Sequence, residues 1–107
     1  MTTVQIRRDK NGVSGICVKN HSGYGEYGTD IVCAAASVLI TTCANALESV
    51  VGLLPDTQVN ERTTTIDVAL PQEMSPEKMH DAQVVFGTVI QGFEDIASEY
   101  PEYLKIL

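Results

Sequence analysis

The chain has 107 residues, of which 44% are hydrophobic; these values predict one domain over residues 1–107 and exclude a disordered chain. Fourteen acidic and seven basic side chains give a net charge of −7, which disfavours direct binding to nucleic acid and favours a basic partner. The three cysteines cannot all pair within one chain, and the N-terminal residues show no signal-peptide pattern, so we expect free thiols and a cytoplasmic protein.

The first part of the chain predicts a β-hairpin followed by a loop. Residues 4–8 alternate apolar and polar side chains, Asn11-Gly12 forms a turn, and residues 15–19 resume the alternation. Three glycines then fall within residues 23–28, a composition that allows positive φ and predicts a mobile loop.

An apolar helix follows this loop. Asp30 is suited to be its N-cap, and Gly52 is suited to end it. Because the helix is apolar nearly all round, we expect it to be central in the fold. No charge occurs from Ile31 to Leu47, but 17 residues are too short to cross a membrane, and polar side chains interrupt them, so we expect no membrane association.

The second half predicts two strands, a helix and a short final strand. The strands lie around residues 57–60 and 64–70, and Ser75-Pro76 provides an N-cap and a first-turn proline for an amphipathic helix. Residues 103–107 suggest an extra C-terminal strand. The order ββαββα predicts an α+β fold, a two-layer sandwich with an antiparallel sheet and two helices packed on one face.

One cysteine and one histidine flank the glycine-rich loop. Cys33 would be the third residue of the first helix, where the helix dipole favours a thiolate, and His21 would end the second strand. A histidine in hydrogen-bonding reach could act as base and then protonate a leaving amine, and first-turn N–H groups could stabilise an oxyanion. Asp30 and Ser37 share a helix face with Cys33; Asp30 could cap the helix or orient His21, and Ser37 could bond the thiol or a substrate carbonyl.

The remaining candidate residues favour structural roles. Cys17 and Cys43 fit core packing, since cysteine is among the most buried residue types, and His80 fits a solvated helix face. The histidine and cysteine spacings match no zinc motif, and the glycines match no nucleotide-binding loop. We therefore expect neither a metal nor a cofactor.

Two sequence blocks resemble the ribosomal-processing cysteine protease family, often called Prp. These blocks are Asn20-His21-Ser22 and residues 28–34, which read Gly-Thr-Asp-Ile-Val-Cys-Ala, with Ser37 following. The resemblance extends through most of the chain. The family commonly has glycine before the histidine and alanine after it, where this sequence has Asn20 and Ser22. If that glycine serves an unusual φ, asparagine is the residue best able to replace it.

The resemblance implies a cysteine endopeptidase in which Cys33 is the nucleophile and His21 the base. It implies a loop that orders over the substrate, containing Gly23, Tyr24, Gly25, Tyr27 and Gly28. The implied substrate is a basic ribosomal protein, the twenty-seventh of the bacterial large subunit, cut after a phenylalanine to remove its N-terminal extension. Family members are typically homodimeric, so a homodimer is also expected.

Two other functions fit the residues less well. One is a non-catalytic ribosome-assembly interaction module in which Cys33 is merely buried, and the other is a thiol redox sensor that uses Cys33 without peptide chemistry. The reactivity of the Cys33 thiol would distinguish the interaction module from a protease. A His21→Ala variant would distinguish the redox sensor from a protease.

Overall fold

Two helices cover one face of a mixed β-sheet, which confirms the predicted α+β class. The computed structural model describes residues 1–20, 23, 25–26 and 30–107. Over these residues the elements are β1 (Thr2–Asp9), β2 (Gly12–Lys19), α1 (Ile31–Ala46), β3 (Asp56–Asn60), β4 (Thr65–Ala69), α2 (Pro76–Glu99) and β5 (Leu104–Ile106).

The sheet has the strand order β3-β4-β2-β1-β5. Neighbouring strands are antiparallel except for β5, which runs parallel to β1. The prediction of a wholly antiparallel sheet is therefore wrong at this edge. After β4 the chain crosses over β2 and β1 through α2, and β5 begins at the same end of the sheet as β4. Such a helical crossover makes β5 parallel to β4. Because β4 and β1 are both antiparallel to β2, β5 is also parallel to β1.

The core lies between the sheet and the two helices. Alternation along the strands turns Val4, Ile16, Val18 and Val68 to the helices. The predicted periodicity of α2 is confirmed, because its buried residues are Ala82, Phe86, Val89, Ile90 and Phe93. Ser75 caps α2 through its side chain, which accepts from the Lys78 N–H at 3.2 Å, and Pro76 is its first residue, as predicted.

The first helix begins and ends where the sequence predicts, but it is more exposed than the sequence predicts. A π-helical turn, Leu47–Val51, continues α1 to Gly52, whose φ of 82° ends the helix in the left-handed region. Val38 on the outer face is 64% exposed, so the helix is not central. The exposed face also carries the polar residues Ser37, Thr41, Thr42 and Asn45, which indicate exposure in the sequence despite the high apolar content of the helix.

The continuous helix from Ile31 to Val51 has 21 residues and a hydropathy of 1.7, enough by length and composition to cross a membrane. Shortness is therefore no argument against a span. One such helix is weak evidence for a span, because the core helix of a folded domain passes the same test, and this helix packs Val32, Ile40 and Leu47 into the core.

Two cysteines are buried on opposite faces of the sheet. Cys43 belongs to the core between α1 and its neighbours, as predicted. Cys17 is buried, as predicted, but it points to the face without helices and lies outside the cluster between the sheet and the helices. On that face Arg7 crosses β2 over Gly15 and reaches Asp67 on β4 at 2.6 Å.

Candidate functional site

Asp30 fixes the start of α1 and ties the preceding loop to it. The side chain is 4% exposed, and its Oδ1 accepts a hydrogen bond from the Cys33 N–H at 2.8 Å. Its Oδ2 accepts from the Gly25 N–H at 3.3 Å. Asp30 is therefore the N-cap, one of the two roles that the sequence left open, and it holds Cys33 in the first turn.

Cys33 lies at the wall of a cavity of about 490 Å³. It is half-buried, and Ser37, one turn further along α1, lines the same cavity. The predicted spacing thus brings these two side chains together. Asp30 supports the cavity from the buried start of the helix and is not part of its lining.

The opposite wall of the cavity comes from the sheet. Apolar side chains on this wall and on α1 form one part of the lining: Val18, Ala36, Ile40, Val59 and Ile66. Polar residues besides Ser37 form the other part: Thr2, Asn20, Asn60, Glu61, Thr64 and Thr65. A cavity with this mixed lining beside a cysteine can hold an apolar side chain of a ligand and bond its backbone. The sequence did not assign these residues, because they come from five separate segments.

The end of β2 takes an unusual turn at this cavity. Asn20 has a φ of 72°, a left-handed conformation that asparagine tolerates better than most residues other than glycine. Its N–H donates to the Thr64 carbonyl at 3.0 Å, and its carbonyl accepts from the Thr2 hydroxyl at 3.0 Å. These bonds fix the backbone at the residue that precedes His21.

Several predicted site residues lie outside the described part of the chain. They are His21, Tyr24, Tyr27 and Gly28, together with Ser22. Gly23 and Gly25 are described and exposed. The structure therefore brings Cys33, Ser37 and Asn20 to one cavity, and the pairing of Cys33 with His21 stays a prediction.

The first turn of α1 supplies fewer oxyanion donors than the sequence suggests. The Cys33 amide bonds the Asp30 side chain, and the Ala34 amide bonds the Asp30 carbonyl at 3.0 Å. The amides of Ile31 and Val32 are the remaining first-turn donors.

The other two thiols are held protonated by their surroundings. Burial raises the pKa of Cys43 to about 11. Burial, and then the charge of Asp67, raise the pKa of Cys17. Because the thiolate is the reactive form, both residues are poor nucleophiles near neutral pH. Within the described residues, no group of three or more histidine, cysteine or acidic side chains is arranged to hold a metal.

Comparison with known proteins gives a consistent match over nearly the whole chain. The family model for the cysteine protease Prp matches residues 1–105. The ribosomal processing cysteine protease Prp of Staphylococcus aureus (strain Mu50 / ATCC 700699) is 28% identical over 107 residues, which cover 99% of this chain and 97% of that protein.

Two crystal structures of an essential ribosomal processing protease Prp from S. aureus share the fold. The complex with a covalently linked product peptide has a TM-score of 0.86 and 28% identity, covering 99% of this chain and 97% of that one. The complex with a substrate peptide has a TM-score of 0.83 and 26% identity, covering 100% and 98%.

Proposed function

We propose that this chain, which belongs to the cysteine protease Prp family, removes the N-terminal extension of a bacterial large-subunit ribosomal protein, the twenty-seventh. The observation that carries the proposal is the position of Cys33, in the capped first turn of α1 and at the wall of a cavity that is lined by both apolar and polar residues. The S. aureus relative, which is named as a ribosomal processing protease and crystallised with a covalently linked product peptide, supports it.

The proposed chemistry is acyl transfer by a Cys-His dyad. The Cys33 sulfur attacks the scissile carbonyl carbon while His21 takes the thiol proton. His21 then gives that proton to the leaving amine, the C–N bond breaks, and a thioester on Cys33 remains. Water, deprotonated by His21, hydrolyses the thioester and releases the acid product. Asp30 positions Cys33 through the cap, and Ser37, on the same wall, is placed to bond the substrate.

The cavity and the charge of the chain fit the proposed substrate. A volume of about 490 Å³ lies within the usual range for ligand pockets and has room for the phenylalanine after which the family cuts. Glu61 lines the cavity, and the net charge of −7 favours approach of a basic ribosomal protein. We propose that this activity takes place in the cytoplasm, where ribosomal proteins are made. We also propose that the enzyme is a homodimer, and sedimentation equilibrium would measure its mass.

The test is mass spectrometry of the extended ribosomal protein after incubation with the enzyme. We expect one cut at the junction by the wild-type chain and none by Cys33→Ala or His21→Ala. Cys17→Ala and Cys43→Ala are matched controls, because each removes a thiol away from the cavity, and both should cut. An intact substrate with folded wild-type enzyme would contradict the proposal, and full activity in His21→Ala would remove the dyad.

A further inference from the structure

The hydrogen bonds at both ends of β4 show which way its backbone groups point. The Asn20 N–H donates to the Thr64 carbonyl, and the Leu70 N–H donates to the Ser14 carbonyl at 2.9 Å. Backbone groups alternate in direction along a strand, so the even-numbered residues of β4 face β2. The odd-numbered residues 65, 67 and 69 therefore face β3.

This parity fixes the orientation of the edge strand. Register pairs Thr65, Asp67 and Ala69 with Asn60, Gln58 and Asp56. The backbone groups of those three β3 residues consequently bond to β4. The N–H and C=O groups of Thr57 and Val59 point away from the sheet, along an edge whose five residues are all exposed.

The free edge adjoins the cavity of Cys33. Val59 and Asn60 belong to the same lining as Cys33, and the Val59 side chain is 63% exposed. A strand laid along this edge would turn alternate side chains toward the helix side, where the cavity lies. Addition of a strand to an exposed sheet edge is a general mode of peptide recognition, in which main-chain bonds give affinity and pockets give specificity.

We propose that the substrate binds as an added β-strand, pairing its backbone with Thr57 and Val59 at the edge of β3 while one side chain enters the cavity. This inference rests on the proposed function. The occupant is an extended peptide with an apolar side chain and a basic character, because the acidic residues Asp56 and Glu61 lie at the two ends of the edge.

The first arm of the test uses the peptide spanning the junction of the ribosomal protein, labelled for fluorescence anisotropy, with the Cys33→Ala variant. One amide at a time is replaced by an ester, which removes an N–H donor and leaves every side chain in place. We expect replacements at alternate positions to weaken binding about threefold to tenfold each, as for lost hydrogen bonds. Replacements at the positions between them should have little effect. Losses without a two-residue period would overturn the inference.

The second arm uses the enzyme edge. Thr57→Pro removes an outward N–H and should raise KM for the peptide well above the KM of Thr57→Ala, which changes the side chain but keeps the N–H. An edge strand tolerates proline where its N–H faces solvent, so Thr57→Pro should unfold at the wild-type temperature and Gln58→Pro, which loses a bond to β4, should unfold lower. If Thr57→Pro does not fold, the ester series decides.

The two proposals can fail separately. Alternating losses on Cys33→Ala, with no cleavage by the wild-type chain, would support strand addition and refute the protease. Cleavage by the wild-type chain with no alternation, and with equal KM for Thr57→Pro and Thr57→Ala, would refute strand addition and keep the protease. If Thr57→Pro loses self-association and keeps its KM, strand addition by the substrate is also refuted, because the edge of β3 would then pair with a second copy of the chain.

Discussion

Replacing Asp30 by alanine should damage stability and activity together. The variant removes the cap acceptor of the Cys33 N–H and the acceptor of the Gly25 N–H. Loss of a cap costs about 1 kcal/mol, and loss of the second bond costs about another 1 kcal/mol. For a chain of this size about 2 kcal/mol corresponds to a fall in Tm of about 8 to 16 °C.

Ser75→Ala is the matched control, since it removes the cap of the other helix. Its side chain accepts from the Lys78 N–H at 3.2 Å in an exposed setting, so we expect a loss of about 1 kcal/mol. Activity measured well below both unfolding temperatures should separate the two variants. In Asp30→Ala the first turn frays and Cys33 is misplaced, which should lower kcat/KM about tenfold to a hundredfold, whereas Ser75→Ala should keep the wild-type value.

Asp30→Asn distinguishes the cap from an additional role. Its amide oxygen can still accept from the Cys33 N–H, but its NH2 group cannot accept from the Gly25 N–H. The helix start should therefore be retained, Tm should fall about half as much as in Asp30→Ala, and activity should stay near that of the wild-type chain. If Asp30→Asn shows only this smaller fall in Tm but loses activity, the carboxylate also orients His21. If Asp30→Ala keeps full activity and unfolds no lower than Ser75→Ala, the reasoning from the cap is refuted.

Three further predictions follow from the described residues. Gly15→Ala should destabilise the fold by about 1 to 3 kcal/mol, because the new Cβ would meet the Arg7 guanidinium and lie 2.9 Å from the Val68 carbonyl oxygen. Gly87→Ala has open space around its Cβ and should stabilise α2. Urea unfolding of the two variants and the wild-type chain measures both effects. Burial raises the pKa of Cys43 from 9.0 to about 11, so stability present below pH 9 should fall by up to about 3 kcal/mol as pH rises through 11. Unfolding of Cys43→Ala should lack this alkaline loss. Iodoacetamide near neutral pH should label Cys33 before Cys43 in the folded chain, as peptide mapping would show, and equal rates would contradict the placement of the two thiols.

Local rules predicted the parts of the fold that short segments determine. Asp30 and Ser75 each precede a helix and present a side-chain acceptor to its first turn, so both caps could be read directly. The positive φ of Asn20 agrees with a conditional expectation that rested on the resemblance, in which asparagine stands where the family commonly has glycine. These features depend on a few neighbouring residues, and tertiary packing does not override them.

Features that depend on distant contacts were predicted less well. The parallel pairing of β5 with β1 arises from the path of α2 across the sheet, which no local pattern encodes. The cavity wall joins Val59 and Ile66 on the sheet to Ile40 on α1. The side of the sheet on which Cys17 is buried could have been predicted, because alternation along β2 turns it away from the face of Ile16 and Val18.

The most direct test of the account is the mass of the enzyme in an acid-quenched reaction with the junction peptide. The account predicts a transient increase equal to the acyl part of the peptide, mapped by proteolysis to a thioester on Cys33. An acyl group on Cys17 or Cys43, or continued cleavage by Cys33→Ala, would contradict the assignment of Cys33 as nucleophile.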